Sequence, residues 1–292
     1  MNDDGTLVPN PDAVAQPSPG SHVALRVASA FGLATIAFAA TWAGVLPFSA
    51  LALAVALLMS WEWSRMVRGD AFDATLAVHG LAAAAAVVLA AFGFAALGAA
   101  VLVTGAIIVL ALEFGRHPIL SATGVLYTGL PAVALIWLRG NEPHGFPAVL
   151  FIVLVVAATD TLAFFAGRSI GGPRLAPSVS PNKTWSGLIG GSLGAALTAA
   201  LFAYVIGAPI PILAALGLVM GFVSQMGDLA ESAIKRAFNV KDVSQLLPGH
   251  GGFMDRMDGL VPVAVAVALA ALFIDPTAPA EALLSGLARG GP

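Results

Sequence analysis

The chain has 292 residues, 59% hydrophobic and only 10% charged, where a soluble domain carries roughly a quarter charged; so few polar side chains exclude an ordinary water-soluble globule. The net charge of −3 gives no reason to expect a nucleic-acid partner, and the absence of cysteine excludes disulfides, thiolate metal sites and cysteine nucleophiles together. A mean hydropathy of +0.92 points to lipid as the solvent for most of the surface.

Residues 1–20 are rich in Asp, Asn, Pro and Ser, with no basic stretch or small-residue cleavage site before the first apolar run. They are expected to form a disordered cytoplasmic tail. A spanning helix needs about 20 predominantly apolar residues. Segments of this kind fall near 23–40, 46–60, 74–92, 94–112, 121–138, 146–165, 185–206, 210–224 and 260–274. The fold class expected is therefore all-α, a polytopic integral membrane protein with about nine transmembrane helices. Only Gly93 hints at a turn between the third and fourth segments.

By organisation, residues 21–145 read as scaffold helices, 146–275 as the catalytic region and 276–292 as a C-terminal tail, partly helical from Ala280 to Leu287. Small residues such as Ala82, Ala86, Gly187 and Gly191 suit close helix packing in lipid. Glu62 and Glu113 are expected at helix ends, and His79 as an internal hydrogen-bonding group. Trp42, Trp61, Trp63 and Trp137 are expected as interface anchors.

Lys and Arg are unevenly shared between the connecting loops. Those after the second, fourth, sixth and eighth segments hold Arg65, Arg68, Arg116, Arg168, Arg174, Lys183, Lys235, Arg236, Lys241 and Arg256, whereas the others hold only Arg139. Since cytoplasmic loops carry the positive excess, the N-terminus is expected inside and the C-terminus outside. The two long polar loops, 166–184 and 226–259, then share the cytoplasmic face.

These loops concentrate the chemistry. Gly227-Asp228-Leu229-Ala230-Glu231-Ser232-Ala233-Ile234-Lys235-Arg236 is followed by Lys241-Asp242 and by Pro248-Gly249-His250-Gly251-Gly252-Phe253-Met254-Asp255-Arg256-Met257-Asp258. On a helix Asp228, Ser232 and Lys235 share one face, and Asp255 and Asp258 share another. Gathered carboxylates repel unless cations sit among them. A hard divalent ion such as Mg2+ is the simplest neutraliser, because it takes carboxylate oxygens and keeps positions open for phosphates. Lys235, Arg236, Lys241 and Arg256 would meet the remaining phosphate charge, and the N–H groups of Gly249, Gly251 and Gly252 could approach an anion. The competing reading is a solvated loop of exposed ion pairs.

A second cluster joins Asp160, Phe164, Phe165, Gly167 and Arg168 to Ser180-Pro181-Asn182-Lys183-Thr184-Trp185. Asp160 lies in an expected span, where an ionisable group is costly and so marks a candidate site; alternatively it pairs with Arg168 near a helix end.

The run from Ser232 to Asp258 closely resembles the defining motif of phosphatidate cytidylyltransferases, the CDP-diacylglycerol synthases. Gly-Asp-Leu-x-Glu-Ser before it, Ser180–Gly187, and Asp-x-x-Ala-Phe-Phe-x-Gly-Arg from Asp160 resemble that family's other blocks, with Phe164 in place of an expected tyrosine. The resemblance implies attack by the phosphate of phosphatidic acid on the α-phosphorus of CTP, giving CDP-diacylglycerol and pyrophosphate for phospholipid biosynthesis. It implies metal ligands at Asp228 and Asp255, joined by Asp258 and Asp160, with two metal sites, one of them open to a monovalent ion such as K+. Lys235, Arg236, Arg256 and Lys241 would hold phosphates, and Asn182, Lys183 and Thr184 would bind the triphosphate or the lipid phosphate. His250 either assists the leaving pyrophosphate or shapes its turn. Ser232 either binds metal or phosphate or satisfies a helix carbonyl. A homodimer in a bacterial inner membrane, surrounded by membrane lipids and with its site facing the cytoplasm, completes the expectation. Two rivals stay open: a CTP-dependent lipid kinase, which would release CDP, and an ion-coupled transporter, which would show inverted repeats.

Overall fold

The computed structural model describes residues 19–69, 72–114, 117–240, 243–244 and 251–286, with side chains from residue 30 onward. The helices run α1 Pro19–Trp42, α2 Val45–Arg68, α3 Ala74–Ala91, α4 Ala95–Leu112, α5 Pro118–Arg139 and α6 Gly145–Ile170. A hairpin of β1 Arg174–Ala176 and β2 Ser180–Thr184 precedes α7 Trp185–Ile206 and α8 Ile210–Ala237. The short α9 Met254–Met257, then α10 Leu260–Ile274 and α11 Pro279–Ser285, complete the described elements. Helices dominate because lipid offers backbone N–H and C=O groups no partners, so each segment must satisfy its own.

All nine expected segments are helical. Among the described residues, seven helices, α2 to α8, are long and apolar enough to cross a membrane. The pair α10 and α11, bent by 93°, makes an eighth if counted as one span. In α1, where side chains are described from residue 30, the apolar stretch is Ala30–Trp42. Gly93 does divide α3 from α4: its φ of 89° is a left-handed conformation that glycine alone adopts at little cost.

α5 is the most enclosed span, packed against α2, α3, α4, α6 and α10. Outward-facing Leu81, Leu97, Ile107, Leu197 and Leu201 remain exposed, as lipid-facing side chains should. At one end of α5 lies a second apolar cluster of Met59, Trp63, Met66, Met254 and Val261. Trp63 is not an interface anchor: it is fully buried, its indole N–H donates to the Leu120 carbonyl at 2.9 Å, and its ring lies 4.9 Å from that of Tyr127. A Cβ at position 124 would stand 2.3 Å from the Trp63 ring, so Gly124 is what lets the indole lie against α5. Trp42 is exposed, and Trp61 carries the Arg65 guanidinium 4.8 Å above its ring.

Of the remaining early expectations, His79 is buried and its Nε2 lies 3.1 Å from the Ser121 carbonyl oxygen. Glu113 caps the end of α4, accepting from the Thr75 hydroxyl at 2.6 Å. Residues after Ile274 include α11, whose Ala280, Leu283 and Leu284 are buried; the Asn141 side-chain oxygen accepts from its Ala280 and Glu281 N–H groups.

Helix length sets the site's position. α8 has 28 residues and α6 has 26, or about 42 and 39 Å at 1.5 Å per residue, against about 30 Å of hydrocarbon. Both are too long for the apolar layer, so their last turns can stand in the headgroup region. α6, α7 and α8 pack through small residues; a Cβ on Gly217 would lie 2.4 Å from the Ala199 methyl, and one on Gly221 2.7 Å from that of Ala195. That closeness brings the C-terminal ends of α6 and α8 beside the start of α7.

Candidate active site

Helix continues past the apolar part of α8 through Asp228, Glu231, Ser232 and Lys235, so these residues occupy a helix rather than a loop. Successive i,i+4 pairs result. Ser232 donates to Asp228 Oδ1 at 3.3 Å, a carboxylate partner rather than a helix carbonyl. Lys235 donates to Glu231 Oε1 at 3.1 Å. Glu231 stands out in the sequence only as part of a motif, yet it is fully buried and also accepts from the Tyr127 hydroxyl of α5 at 2.9 Å.

The β1–β2 hairpin carries Lys183 across to α8, where its Nζ lies 2.5 Å from Asp228 Oδ2. Arg236 Nε donates to the Val179 carbonyl in the hairpin turn at 3.4 Å, tying the end of α8 to the same hairpin. Asn182 is exposed. Thr184 serves the fold, since its hydroxyl caps α7, accepting from the Gly187 N–H at 3.1 Å.

The third component is the turn around α9. Lys235 Nζ lies 2.5 Å from Asp255 Oδ1, so this ammonium bridges two carboxylates. Asp255 Oδ2 accepts from the Gly252 N–H at 3.0 Å. The N–H groups of Phe253 and Met254 are taken by Glu62 of α2, at 2.8 and 2.6 Å, and the Ser244 hydroxyl bonds the same carboxylate. Two expectations are corrected by these contacts. The N–H of Gly252 faces a carboxylate of the protein, not an incoming anion, and Glu62 is a fully buried member of the site wall instead of a polar residue at a helix end. Lys241, His250 and Gly249 lie outside the described residues.

Asp258 follows α9, and its carboxylate accepts from the Gly259 N–H at 2.8 Å. Burial, followed by the negative charges of Asp228, Glu231 and Asp160, pushes its pKa up to about 8. Asp160, on α6, interacts with Asp228, Lys183 and Arg256. The expected metal ligands Asp160, Asp228 and Asp258 thus share one electrostatic neighbourhood, with Asp255 beyond Lys235. Among the described residues no three His, Cys, Asp or Glu side chains stand close enough to enclose a metal ion. The donor chemistry nevertheless fits a hard cation: all are carboxylate oxygens, and the mutual repulsion felt at Asp258 is what such an ion relieves.

The raised pKa of Asp258 makes the stability of the fold depend on pH. A carboxyl with a pKa raised in the folded state holds a proton there that the unfolded chain releases from about pH 4, so its contribution falls as pH rises toward 8. Asp258→Asn is expected to flatten this dependence and to melt higher than the parent protein at pH 8 in EDTA. Thermal denaturation in detergent from pH 5 to 8.5 measures it; parallel curves for the two proteins would contradict the shift.

Fold and site together define a polytopic membrane protein with a lysine-bridged carboxylate site at one end of its helix bundle. Residues 24–274 match the cytidylyltransferase family, and the chain belongs to that family. It is 40% identical over 272 residues to a phosphatidate cytidylyltransferase of Brucella suis biovar 1, covering 91% of this chain and 99% of that protein. It is 41% identical over 263 residues to that of Brucella abortus biovar 1, covering 88% and 96%. With the Bacillus subtilis phosphatidate cytidylyltransferase it shares 38% identity over 138 residues, 47% of this chain and 51% of that protein.

Proposed function

We propose that this integral membrane protein transfers the cytidylyl group of CTP to phosphatidic acid, releasing pyrophosphate and leaving CDP-diacylglycerol in the membrane. The near full-length similarity to phosphatidate cytidylyltransferases carries the reading, and the charged site at a bundle end supports it. A phosphate oxygen of the lipid forms a bond to the α-phosphorus of CTP while the α–β bridging bond breaks, its electron pair leaving with pyrophosphate. The nucleophile is already anionic near neutral pH, so neither a side-chain nucleophile nor a strong general base is required.

What the chain must do is bring two anions together. Lys183 on its hairpin, with Arg236 and Arg256, supplies the cations that hold phosphates; Asn182 and Lys241 belong to the same proposal, and His250 either assists the leaving pyrophosphate or shapes the loop. Lys183 would exchange Asp228 for a substrate phosphate. Ser232 orients Asp228, and Lys235 fixes Asp255 against Glu231. Asp228, Asp258, Asp160 and Asp255 would hold Mg2+, and a second ion, K+ included, on the same carboxylates. When bound, such ions neutralise phosphate charge and stabilise the leaving group. The proposal also includes a homodimer in a bacterial inner membrane with this face toward the cytoplasm, as the distribution of Lys and Arg favours.

The test is direct. Purified protein with phosphatidic acid, α-labelled CTP and Mg2+ is expected to yield labelled CDP-lipid and pyrophosphate in equal amounts, and EDTA should stop both. Release of CDP without labelled CDP-lipid would replace this reading with that of a lipid kinase.

A further inference from the structure

Glu62 lies outside both polar clusters that the sequence brings forward, in a helix otherwise read as scaffold. Its carboxylate is fully buried, which is costly unless hydrogen bonds replace the water lost. The replacements come from the turn that carries Asp255: Oε1 accepts from the Phe253 N–H at 2.8 Å and from the Ser244 hydroxyl, and Oε2 accepts from the Met254 N–H at 2.6 Å. The next residue is Asp255, reaching Lys235 at 2.5 Å. A Cβ on Gly252 would lie 2.9 Å from Glu62 Oε1 and 3.0 Å from Asp255 Oδ2. Glycine at this position lets both carboxylates close on one stretch of backbone. Beneath it, the buried Met254 side chain packs with Met59, Trp63 and Met66, so α2 grips the turn by both polar and apolar contacts.

We propose that Glu62 is a positioning residue for cytidylyl transfer: from α2, its carboxylate fixes the backbone at Phe253 and Met254 and thereby aims Asp255 at Lys235 and the reacting phosphates. The inference rests on the function proposed above. A buried group that merely supported the fold would affect how much protein folds, whereas one that aims a site carboxylate should affect turnover per folded molecule.

Glu62→Gln conserves shape but has a single acceptor oxygen, so its amide N–H must face one of the two backbone N–H groups. The kcat per folded molecule is expected to fall roughly 10- to 100-fold, the scale of a small misplacement at a reacting centre, with KM for CTP and for phosphatidic acid within about twofold of the parent on the same reasoning. Hydrogen exchange in the peptide containing Phe253 and Met254 should speed up. Ser60→Ala is the control: Ser60 Oγ lies 2.9 Å from Thr128 Oγ1 across α2 and α5, and its loss should lower the melting temperature while kcat stays unchanged.

A parent-like kcat in folded Glu62→Gln overturns the proposal, as does a kcat loss in Ser60→Ala that simply follows its melting temperature. If the Gln variant does not fold, Glu62→Asp, one methylene short, takes its place, and an unchanged kcat there overturns the proposal equally. Should the parent protein make no CDP-lipid, the functional reading fails, and the exchange measurement still decides whether Glu62 holds the turn: unchanged exchange in the variant overturns it.

Discussion

Asp228→Ala is expected to lower kcat/KM for cytidylyl transfer by on the order of 10³-fold or more, the scale seen when a group that balances charge in phosphoryl transfer is removed. The carboxylate joins three parts of the site, accepting from Ser232 in its own helix, meeting Lys183 of the hairpin at 2.5 Å and interacting with Asp160 and Asp258. Stability should move little, because the Lys183 and Asp228 side chains retain 21% and 34% of their exposure, and partly solvated pairs are worth about 0–1 kcal/mol. Removing one of several repelling carboxylates also relieves Asp258. The expected signature is therefore a folded, inactive protein, with a melting temperature in EDTA at or above that of the parent. Asp228→Asn separates charge from shape: it retains a partner for Ser232 and should be equally inactive. Near-parental turnover in either variant would remove Asp228 from the chemistry.

Much of this arrangement is legible in the sequence because apolar periodicity and charge density are local signals. Nine apolar runs mark nine helices, Gly93 marks the break between two of them, and the charged runs contain Lys183, Asp228, Lys235 and Asp255, which meet in two ion pairs. What is not legible depends on which faces meet. Glu62 and Trp63 are adjacent in sequence near the polar end of a span and read as boundary residues, yet α5 and the α9 turn cover both of them. Gly124, opposite Trp63, gives no local sign of its partner, and Tyr127 is 104 positions from the Glu231 it contacts. The signal that singles out Glu62 is energetic: an acid inside a long apolar helix is costly in lipid and needs donors from elsewhere. The same cost marks Asp160 as a candidate, and weighed equally at Glu62 it marks a second. Local reading also assigns the N–H groups around Gly252 to a substrate anion, when the protein's own carboxylates reach them first.

Lys235→Met should have the largest combined effect, because it removes the cation between two carboxylates that have little solvent to fall back on. The Glu231 side chain is 0% exposed, and those of Lys235 and Asp255 are 12% exposed. Methionine fills the same stem volume without charge, leaving Glu231 with Tyr127 and Asp255 with the Gly252 N–H as their remaining donors. Breaking a buried pair from one side typically costs about 3–5 kcal/mol. A marked fall in melting temperature is thus expected, together with at least a ~10²-fold loss of turnover, since Asp255 loses the partner that aims it. Adding Glu231→Gln to Lys235→Met separates the two effects. Neutralising the orphaned acid should recover part of the stability, a coupling that a double-mutant cycle measures, but it restores no ammonium to Asp255, so turnover should stay low. If the double variant regains activity along with stability, Lys235 serves the fold alone. If Lys235→Met melts like the parent protein, the buried bridge between α8 and the α9 turn is not what holds them together.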